Sequence, residues 1–359
     1  MTVPILPGIR AETLATRRLT TRVLFSGPVE GEPILFLHGN LSSATWWETT
    51  MLRIPQRFRV IAPDQRGFGG ADPTATIDAT NGLGDLVDDA LALLDHLGID
   101  AAHVVGNSMG GGVVWRLMAE APDRMRTVTL VSPGSPYGFG GTKGEDGEPC
   151  WSDFSGSGGG LINPQLVERL RSADSGLESP FSPRNALRTL IVAPGSVPEN
   201  EDALVGAMLS THLGEQHYPG DMTPSGNWPF AAPGTMGVNN ALSPKYTGDL
   251  VHRLLSAEPK PPVAWIRGEL DKVVADNALG DPGTLGALGL IPGWPGADIY
   301  PSQPMLAQTR RVLDRYRAAG GSYTETIIEG AAHVPFIEDP TTFDAVFHAH
   351  IDNTGGNDT

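Results

Sequence analysis

Residues 106–110 read Gly106-Asn107-Ser108-Met109-Gly110, the one Gly-x-Ser-x-Gly sequence in the chain. It follows the apolar residues 102–105 and precedes a helix-like stretch over residues 111–121. A strand that turns abruptly into a helix at a serine needs glycines on both sides, because the two elements approach too closely for a Cβ atom. The pattern therefore predicts that Ser108 is a nucleophile, held in a strained turn above the edge of a sheet.

Length and composition restrict the class of protein. The chain has 359 residues, 40% of them hydrophobic, which is enough for a large core and more than one average domain. Its 41 acidic and 25 basic residues give a net charge of -16, which disfavours nucleic acid and anionic membrane surfaces as partners. Cys150 is the single cysteine, so no intrachain disulfide can form.

Residues 1–10 lack the pattern of a signal peptide, and the sequence has no run of about 20 apolar residues. We therefore expect a soluble cytoplasmic protein that acts on a small molecule, with homo-oligomer formation left open. The polar residues 353–359 are predicted to be disordered.

Short apolar runs alternate with helical patterns along most of the chain. A hairpin is predicted over residues 12–25. Strands are predicted at 34–37, 58–62, 102–105, 127–131, 262–267 and 323–328, and helices at 83–97, 305–319 and 342–350. Such alternation indicates an α/β fold with a mostly parallel central sheet flanked by helices.

The alternation is interrupted between residues 132 and 258, where loops, polar helices and a glycine-rich stretch appear. A structureless loop of this length is improbable in a compact fold. We therefore predict a core of residues 1–133 and 260–359, with an inserted, mainly helical cap over 134–259. A second excursion, residues 276–304, is predicted to be either a packing element or an extra piece of lid.

A serine nucleophile needs a base, and the base needs a carboxylate to orient it. His333 follows the predicted strand 323–328, where a loop can bring its imidazole over the sheet edge. Asp271 follows the preceding strand, with Glu269 and Asp276 as nearby rivals. His38 is expected to support backbone geometry instead. The order Ser108, Asp271, His333 is typical of a nucleophile elbow on a parallel sheet.

Acyl transfer also needs N–H donors for the developing oxyanion. Met109 follows the nucleophile at a helix N-terminus, where its amide has no partner within the helix. The second donor is expected from the loop after residues 34–37, with the amide of Asn40 as first choice and that of Leu41 as the alternative.

These motifs together resemble the α/β-hydrolase superfamily. The resemblance rests on Leu37-His-Gly-Asn40, Asp64-Gln-Arg-Gly-Phe-Gly69, Gly106-Asn-Ser-Met-Gly110, Gly268-Glu-Leu-Asp271, and Gly330-Ala-Ala-His333 with Glu338 and Pro340. It implies the triad Ser108, Asp271 and His333 with an oxyanion hole at Asn40 and Met109. Family members often have serine two residues after Gly69, where this chain has Ala71. Haloalkane dehalogenases and epoxide hydrolases resemble the same loops but use aspartate as nucleophile.

The predicted activity is hydrolysis of a carboxylic ester or lactone of a small, largely apolar substrate through an acyl-enzyme. No metal or organic cofactor is expected, because the sequence has neither zinc-ligand spacing nor a dinucleotide glycine motif. Aromatic residues are candidates for a pocket wall, although each could equally be packed inside the protein: Trp46, Trp151, Phe154, Tyr218 and Trp228, with His217 and Phe230.

Other activities are compatible with the same motifs. A carbon–carbon bond hydrolase acting on a vinylogous diketone would use the same triad and a similar cap. An amidase or peptidase, and a perhydrolase, are further enzyme classes. A non-catalytic ligand-binding protein is disfavoured, because it would not need nucleophile, base and acid together.

Overall fold

Eight strands form the central sheet of the protein, whose computed structural model describes residues 5–352. In chain order they are β1 (Arg10–Ala15), β2 (Thr20–Ser26), β3 (Glu32–Leu37), β4 (Phe58–Pro63), β5 (Ala102–Asn107), β6 (Met125–Val131), β7 (Val263–Gly268) and β8 (Tyr323–Ile328). Their spatial order is β1-β2-β4-β3-β5-β6-β7-β8. β2 pairs antiparallel with β1 and β4, and the pairs from β4 to β8 are parallel. The predicted hairpin and mostly parallel sheet are confirmed.

Helices cover both faces of this sheet. They are α1 (Glu48–Arg53), α2 (Gly84–His96), α3 (Met109–Glu120), α4 (Pro164–Arg171), α5 (Pro183–Ala186), α6 (Glu201–Leu209), α7 (Val238–Ala241), α8 (Leu250–Ser256), α9 (Pro282–Ala287), α10 (Met305–Ala318), α11 (Pro335–Glu338) and α12 (Pro340–Asp352). One apolar layer unites residues of α2, α3, α8 and α10, and the other unites residues of α1, α6 and α12. Strand β5 is buried along its whole length, as a parallel strand covered on both faces should be.

Residues 134–259 contain α4 to α8, long loops and three small two-stranded sheets. The segment is more irregular than the mainly helical cap that we predicted, because its glycines adopt positive φ angles, as at Gly138 and Gly140, where a helix cannot continue. Helix α8 packs its Leu250 and Leu254 into the layer that also holds Val113 of α3. The division of the chain at residues 133 and 260 stays a prediction.

Backbone hydrogen bonds join the 134–259 segment to the loop after β4. The amide of Ile77 donates to the Gln216 carbonyl (3.2 Å), that of Ala79 to Thr235 (2.9 Å), and that of His212 to Gly67 (2.9 Å). Because each bond fixes a loop of one part against a loop of the other, the segment is attached to the core at several points.

The second excursion, residues 276–304, packs against the 134–259 segment. The Tyr300 hydroxyl donates to the Gly156 carbonyl (3.1 Å), and the side chain of Gln303 donates to the Gly138 carbonyl (3.0 Å) while accepting from the Gly140 amide (2.7 Å). Of the two alternatives that we kept open for this stretch, these contacts match the packing element.

None of the helices between residues 5 and 352 is long and apolar enough to cross a bilayer. The predicted disordered tail, residues 353–359, lies outside the described residues.

Candidate active site

Ser108 lies at the sharp turn between β5 and α3. Its backbone has φ 55° and ψ -116°, an unfavourable conformation for a residue with a side chain. A Cβ on Gly106 would overlap the Gly110 carbonyl oxygen, and one on Gly110 would overlap the Leu37 carbonyl oxygen. Both glycines are therefore required by close packing, as the sequence predicted, and they let the turn present Ser108 at the carboxyl edge of the sheet.

His333 and Asp271 form a close pair at the same edge. The Nδ1 atom of His333 lies 2.9 Å from Asp271 Oδ2, and only 6% and 4% of the two side chains are exposed. The other carboxylate oxygen, Oδ1, accepts from the amides of Val273 (2.8 Å) and Val274 (3.0 Å). Because the carboxylate accepts, Nδ1 carries the proton in neutral His333, and Nε2 keeps its lone pair.

The rivals for the acid have other partners. Glu269 accepts from the Gly330 amide (3.2 Å), and Asp276 accepts from the Leu306 amide (2.8 Å) at the start of α10. Of the three carboxylates, Asp271 is thus the one that contacts His333, and its role as the acid stays a prediction.

Among the hydrogen bonds of the described residues, none joins Ser108 Oγ to His333. Catalytic hydrogen bonds are often long in ligand-free proteins and shorten when substrate binds. The two residues are nevertheless connected by Asn107, whose Nδ2 donates to the carbonyls of Val131 (3.1 Å) and His333 (3.3 Å). Asn107 therefore links the end of β5, next to Ser108, to the loop that carries His333.

Sequence reasoning did not assign this role to Asn107. Its signal was its position, since a polar residue directly before the nucleophile ends the fully buried strand β5 and must find partners there.

Glu338 fixes the histidine loop to the 134–259 segment. Its Oε2 accepts from the Ala332 amide (2.8 Å) and its Oε1 from the Ala193 amide, while the His333 amide donates to the Ile191 carbonyl (3.0 Å). Burial raises the pKa of the Glu338 carboxyl, and the backbone amides and His333 oppose that rise. The loop that carries His333 is therefore held from both sides.

The loop after β3 approaches Ser108 closely. A Cβ on Gly39 would lie 3.1 Å from Ser108 Cβ, so glycine permits the contact. The Leu41 amide donates to Asn40 Oδ1 (3.0 Å), so this N–H group already has an acceptor. Leu41 has φ 48°. Among residues 5–352, no protein group accepts a hydrogen bond from the backbone amide of Asn40 or of Met109. Of the two loop donors that we considered, Asn40 thus has the free N–H group.

His38 supports this loop as expected. Its Nδ1 lies 2.8 Å from the Gly39 carbonyl, and its Nε2 accepts from the Gln65 amide (2.9 Å). Both ring nitrogens therefore have partners. Burial lowers the pKa of His38 to about 4, so the imidazole is neutral at pH 7.

Three of the aromatic residues predicted to line a pocket are packed inside the protein. Trp46 is 3% exposed and donates from Nε1 to the Leu204 carbonyl (3.2 Å), and Tyr218 is 2% exposed in an apolar layer. Trp228 donates to the Pro292 carbonyl (2.9 Å) and lies with its ring 4.9 Å from that of Tyr300. All three rings are buried, and the indole nitrogens of Trp46 and Trp228 bind protein carbonyls, so a role of these residues in lining a pocket stays a prediction.

The remaining pocket candidates are less buried. Trp151 donates to the Trp228 carbonyl (2.7 Å), Phe154 is half-buried with φ 60°, and Phe230 is 58% exposed. Any role of theirs in substrate binding stays a prediction. Among the residues from 5 to 352, no group of three or more His, Cys, Asp or Glu side chains is arranged to hold a metal ion.

The chain is similar in sequence to several known proteins. A family model described as "alpha/beta hydrolase fold" matches residues 32–144. The chain is 38% identical over 104 residues to a 2-hydroxymuconate semialdehyde hydrolase of Pseudomonas sp. (strain CF600), a match that covers 28% of this chain and 36% of that relative. It is 25% identical over 352 residues to an uncharacterized protein of Mycobacterium tuberculosis (strain ATCC 25618 / H37Rv), covering 97% and 82% of the two chains.

The fold is also similar to solved structures. Carboxylesterase CesB from Bacillus subtilis superimposes with a TM-score of 0.57 at 16% identity, over 97% of this chain and 93% of that one. Together with the eight-stranded sheet and the family match over residues 32–144, this similarity shows that the chain has the α/β-hydrolase fold.

Proposed function

We propose that the protein is a serine hydrolase that cleaves a carboxylic ester or lactone of a small, largely apolar substrate through an acyl-enzyme on Ser108. The observation that carries the proposal is the His333–Asp271 pair, at 2.9 Å, beside a strained serine turn. A buried carboxylate that accepts two further amide hydrogen bonds is fixed in place, and it fixes the imidazole in turn.

The proposed reaction begins when Ser108 Oγ attacks the substrate carbonyl and His333 Nε2 takes the hydroxyl proton. The charge that develops on the carbonyl oxygen is stabilised by the amides of Asn40 and Met109. Collapse of the tetrahedral intermediate breaks the ester bond, and His333 gives its proton to the departing alkoxide oxygen. Water then attacks the acyl-enzyme with His333 as base again, which releases the acid and restores Ser108.

The preference for an apolar substrate is supported by the residues that adjoin the catalytic groups. Leu41 follows the Asn40 donor, Val273 donates its amide to Asp271, and Leu242 lies over the start of α3 near Gly112. These three side chains are half-buried and apolar. Phe139 and Val273 pack against the same cluster of Val274, Ala278 and Met305, so Phe139 adds an aromatic ring to this neighbourhood.

Carbon–carbon bond cleavage is the second candidate. The 2-hydroxymuconate semialdehyde hydrolase to which the chain is similar is its main support, since the same serine, histidine and aspartate could serve that reaction. Turnover of a ring-fission diketone, with none of simple esters, would favour this candidate.

The test combines covalent labelling with kinetics. A fluorophosphonate should attach to Ser108, as mapped by mass spectrometry, and nitrophenyl esters, lactones and diketones should be assayed with wild type and Ser108→Ala. We expect Ser108→Ala to lower kcat/KM by about 10⁴-fold or more. The control, Ser172→Ala on the exposed end of α4, should retain wild-type activity. An adduct on another residue, or ester turnover undiminished in Ser108→Ala, would overturn the proposal.

A further inference from the structure

A chain of three hydrogen bonds links the loop after β3 to the 134–259 segment. The Leu41 amide donates to Asn40 Oδ1 (3.0 Å), and Asn40 Nδ2 donates to Asn239 Oδ1 (2.7 Å). The Nδ2 group of Asn239 in turn donates to the Pro219 carbonyl (2.9 Å). In both Asn40 and Asn239, the side-chain oxygen accepts one hydrogen bond and the side-chain nitrogen donates one.

The direction of this chain is fixed by its two ends. A backbone amide such as that of Leu41 can only donate, and a carbonyl such as that of Pro219 can only accept. Flipping either asparagine would oppose two donors or two acceptors. The orientation of both side chains therefore follows from the network itself and does not depend on an arbitrary assignment of nitrogen and oxygen.

The far end of the chain is anchored on the core. Asn239 is 8% exposed and lies in α7, a helix whose Val238 amide donates to the His217 carbonyl (2.8 Å). Just before α7, the Gly237 amide donates to the Ile77 carbonyl (3.0 Å), which belongs to the loop after β4. Asn239 therefore presents its acceptor to Asn40 from a fixed position.

The near end of the chain acts on the turn that holds the free Asn40 amide. Leu41 has φ 48°, a conformation that is unfavourable for leucine and needs support from its surroundings. The support is the hydrogen bond from its amide to Asn40 Oδ1, and Asn239 holds that oxygen in place through Nδ2 of the same side chain. If Asn40 rotated, the turn would lose its acceptor and the Asn40 N–H group would lose its direction.

We propose that Asn239, contributed by the 134–259 segment, is a positioning residue for the oxyanion-binding turn at Asn40 and Leu41. This inference rests on the proposed serine hydrolase function. It makes the segment over the sheet part of the catalytic machinery through one side chain, in addition to any contact that the segment has with substrate. Asn239 touches neither the reacting carbonyl nor Ser108 in this scheme, and it acts through Asn40.

The test is a double-mutant cycle on kcat with Asn40→Ala, Asn239→Ala and the double variant. Loss of one oxyanion donor costs about 10² to 10³-fold in kcat, so misdirecting one should cost less. We expect roughly tenfold for Asn239→Ala and roughly 30-fold for Asn40→Ala. Because both changes disable the same turn, the double variant should also lose roughly 30-fold and not the product of the two losses.

Two further readouts separate positioning from general damage. KM should change by less than about threefold, whereas binding of a trifluoromethyl ketone, which forms a tetrahedral oxyanion on Ser108, should weaken by the same factor as kcat/KM. Asn239→Leu, of similar volume but without hydrogen-bonding groups, should behave like Asn239→Ala and serves if the smaller side chain prevents folding. Asn163→Ala is the matched control, since Asn163 caps α4 in the same segment and should leave kcat unchanged.

The outcomes are distinguishable. Multiplicative losses in the double variant, or a lower kcat with unchanged ketone affinity, would overturn the role of Asn239 while the Ser108 adduct and ester turnover still support the proposed function. A wild-type protein that neither forms the adduct nor hydrolyses esters would overturn the proposed function and this inference with it.

Discussion

Two histidine–carboxylate pairs lie at opposite edges of the sheet. At the carboxyl edge, His333 binds Asp271 through Nδ1 (2.9 Å). At the amino edge, His103 of β5 contacts Thr127 Oγ1 through Nδ1 (2.8 Å), and its Nε2 lies 3.2 Å from Glu32 Oε1 without the alignment of a hydrogen bond. Both pairs join neighbouring elements, but their ring nitrogens are used differently.

The difference shows what makes such a pair useful for catalysis. His103 is fully buried with both nitrogens facing protein groups, so it has no nitrogen for a substrate. His333 has one nitrogen bound to a buried acid and the other uncommitted among the described hydrogen bonds. Under the proposed function, closeness of a histidine to a carboxylate is therefore insufficient, and the free second nitrogen of His333 is the feature that distinguishes the two pairs.

The largest expected effect comes from replacing each histidine by glutamine. His333→Gln removes the proposed base, and kcat/KM for an ester substrate should fall by about 10⁴-fold or more. His103→Gln should change kcat/KM by less than about threefold, because its side chain contacts no group at the carboxyl edge. Steady-state kinetics of both variants measure this, and equal losses would abolish the distinction between the pairs.

The carboxylates should differ in the same sense. Asp271→Asn keeps the shape but favours the wrong tautomer of His333, so kcat should fall by about 10²- to 10⁴-fold. Glu32→Gln should leave kcat within about twofold, since Glu32 is more than one-third exposed and also pairs with Arg126. Full activity in Asp271→Asn would show that another group orients the base.

A smaller effect is expected from Asn107, which connects Ser108's strand to the backbone of His333. Asn107→Ala should lower kcat by roughly tenfold through looser placement of the base, with little change in KM. Thr127→Val, which removes the partner of His103 Nδ1 with little change of volume, is the control at the other edge and should keep kcat. Steady-state kinetics of the two variants give the two kcat values, and an equal kcat in Asn107→Ala and Thr127→Val would contradict the role of Asn107.

The smallest effect concerns stability and pH. Burial lowers the pKa of His103; Glu32 and Asp352 oppose this shift, and Arg126 adds to it. Burial also lowers the pKa of His350, which lies against the Val128 carbonyl, to about 4. Because the pKa of these histidines is lower in the folded protein than the ordinary value of about 6.5, the unfolded chain binds more protons than the folded one when the pH falls below about 6.5. The folded protein therefore loses stability as the pH falls below that value.

This loss can be measured by melting temperatures between pH 8 and pH 5. His103→Gln should show a Tm that falls less than that of wild type over this range. The same dependence in both proteins would show that the amino-edge histidine does not contribute to acid sensitivity.

Much of the architecture could be predicted from the sequence because its signals are local. The glycines around Ser108 indicate the tight turn, and the apolar run of β5 indicates a buried strand. The order of elements then places Asp271 and His333 at the ends of neighbouring strands. The resulting contact between His333 and Asp271 needed no knowledge of the segment between residues 134 and 259.

The parts that could not be predicted depend on contacts between distant segments. Trp228 could equally line a pocket or be packed, and its partners Pro292 and Tyr300 come from a separate stretch of about 30 residues. Asn239 has no local motif at all, because its role comes from meeting Asn40, 199 residues away. No spacing rule encodes such a meeting.

The tie between residues 276–304 and the 134–259 segment has a consequence for protein engineering. Tyr300 and Gln303 form hydrogen bonds with Gly138, Gly140 and Gly156, so these two sequence blocks are bound to each other although β7 separates them along the chain. A chimera that transplants only the longer block from a relative would leave a buried hydroxyl and amide without partners. Specificity exchange between family members should therefore move both blocks as a single graft.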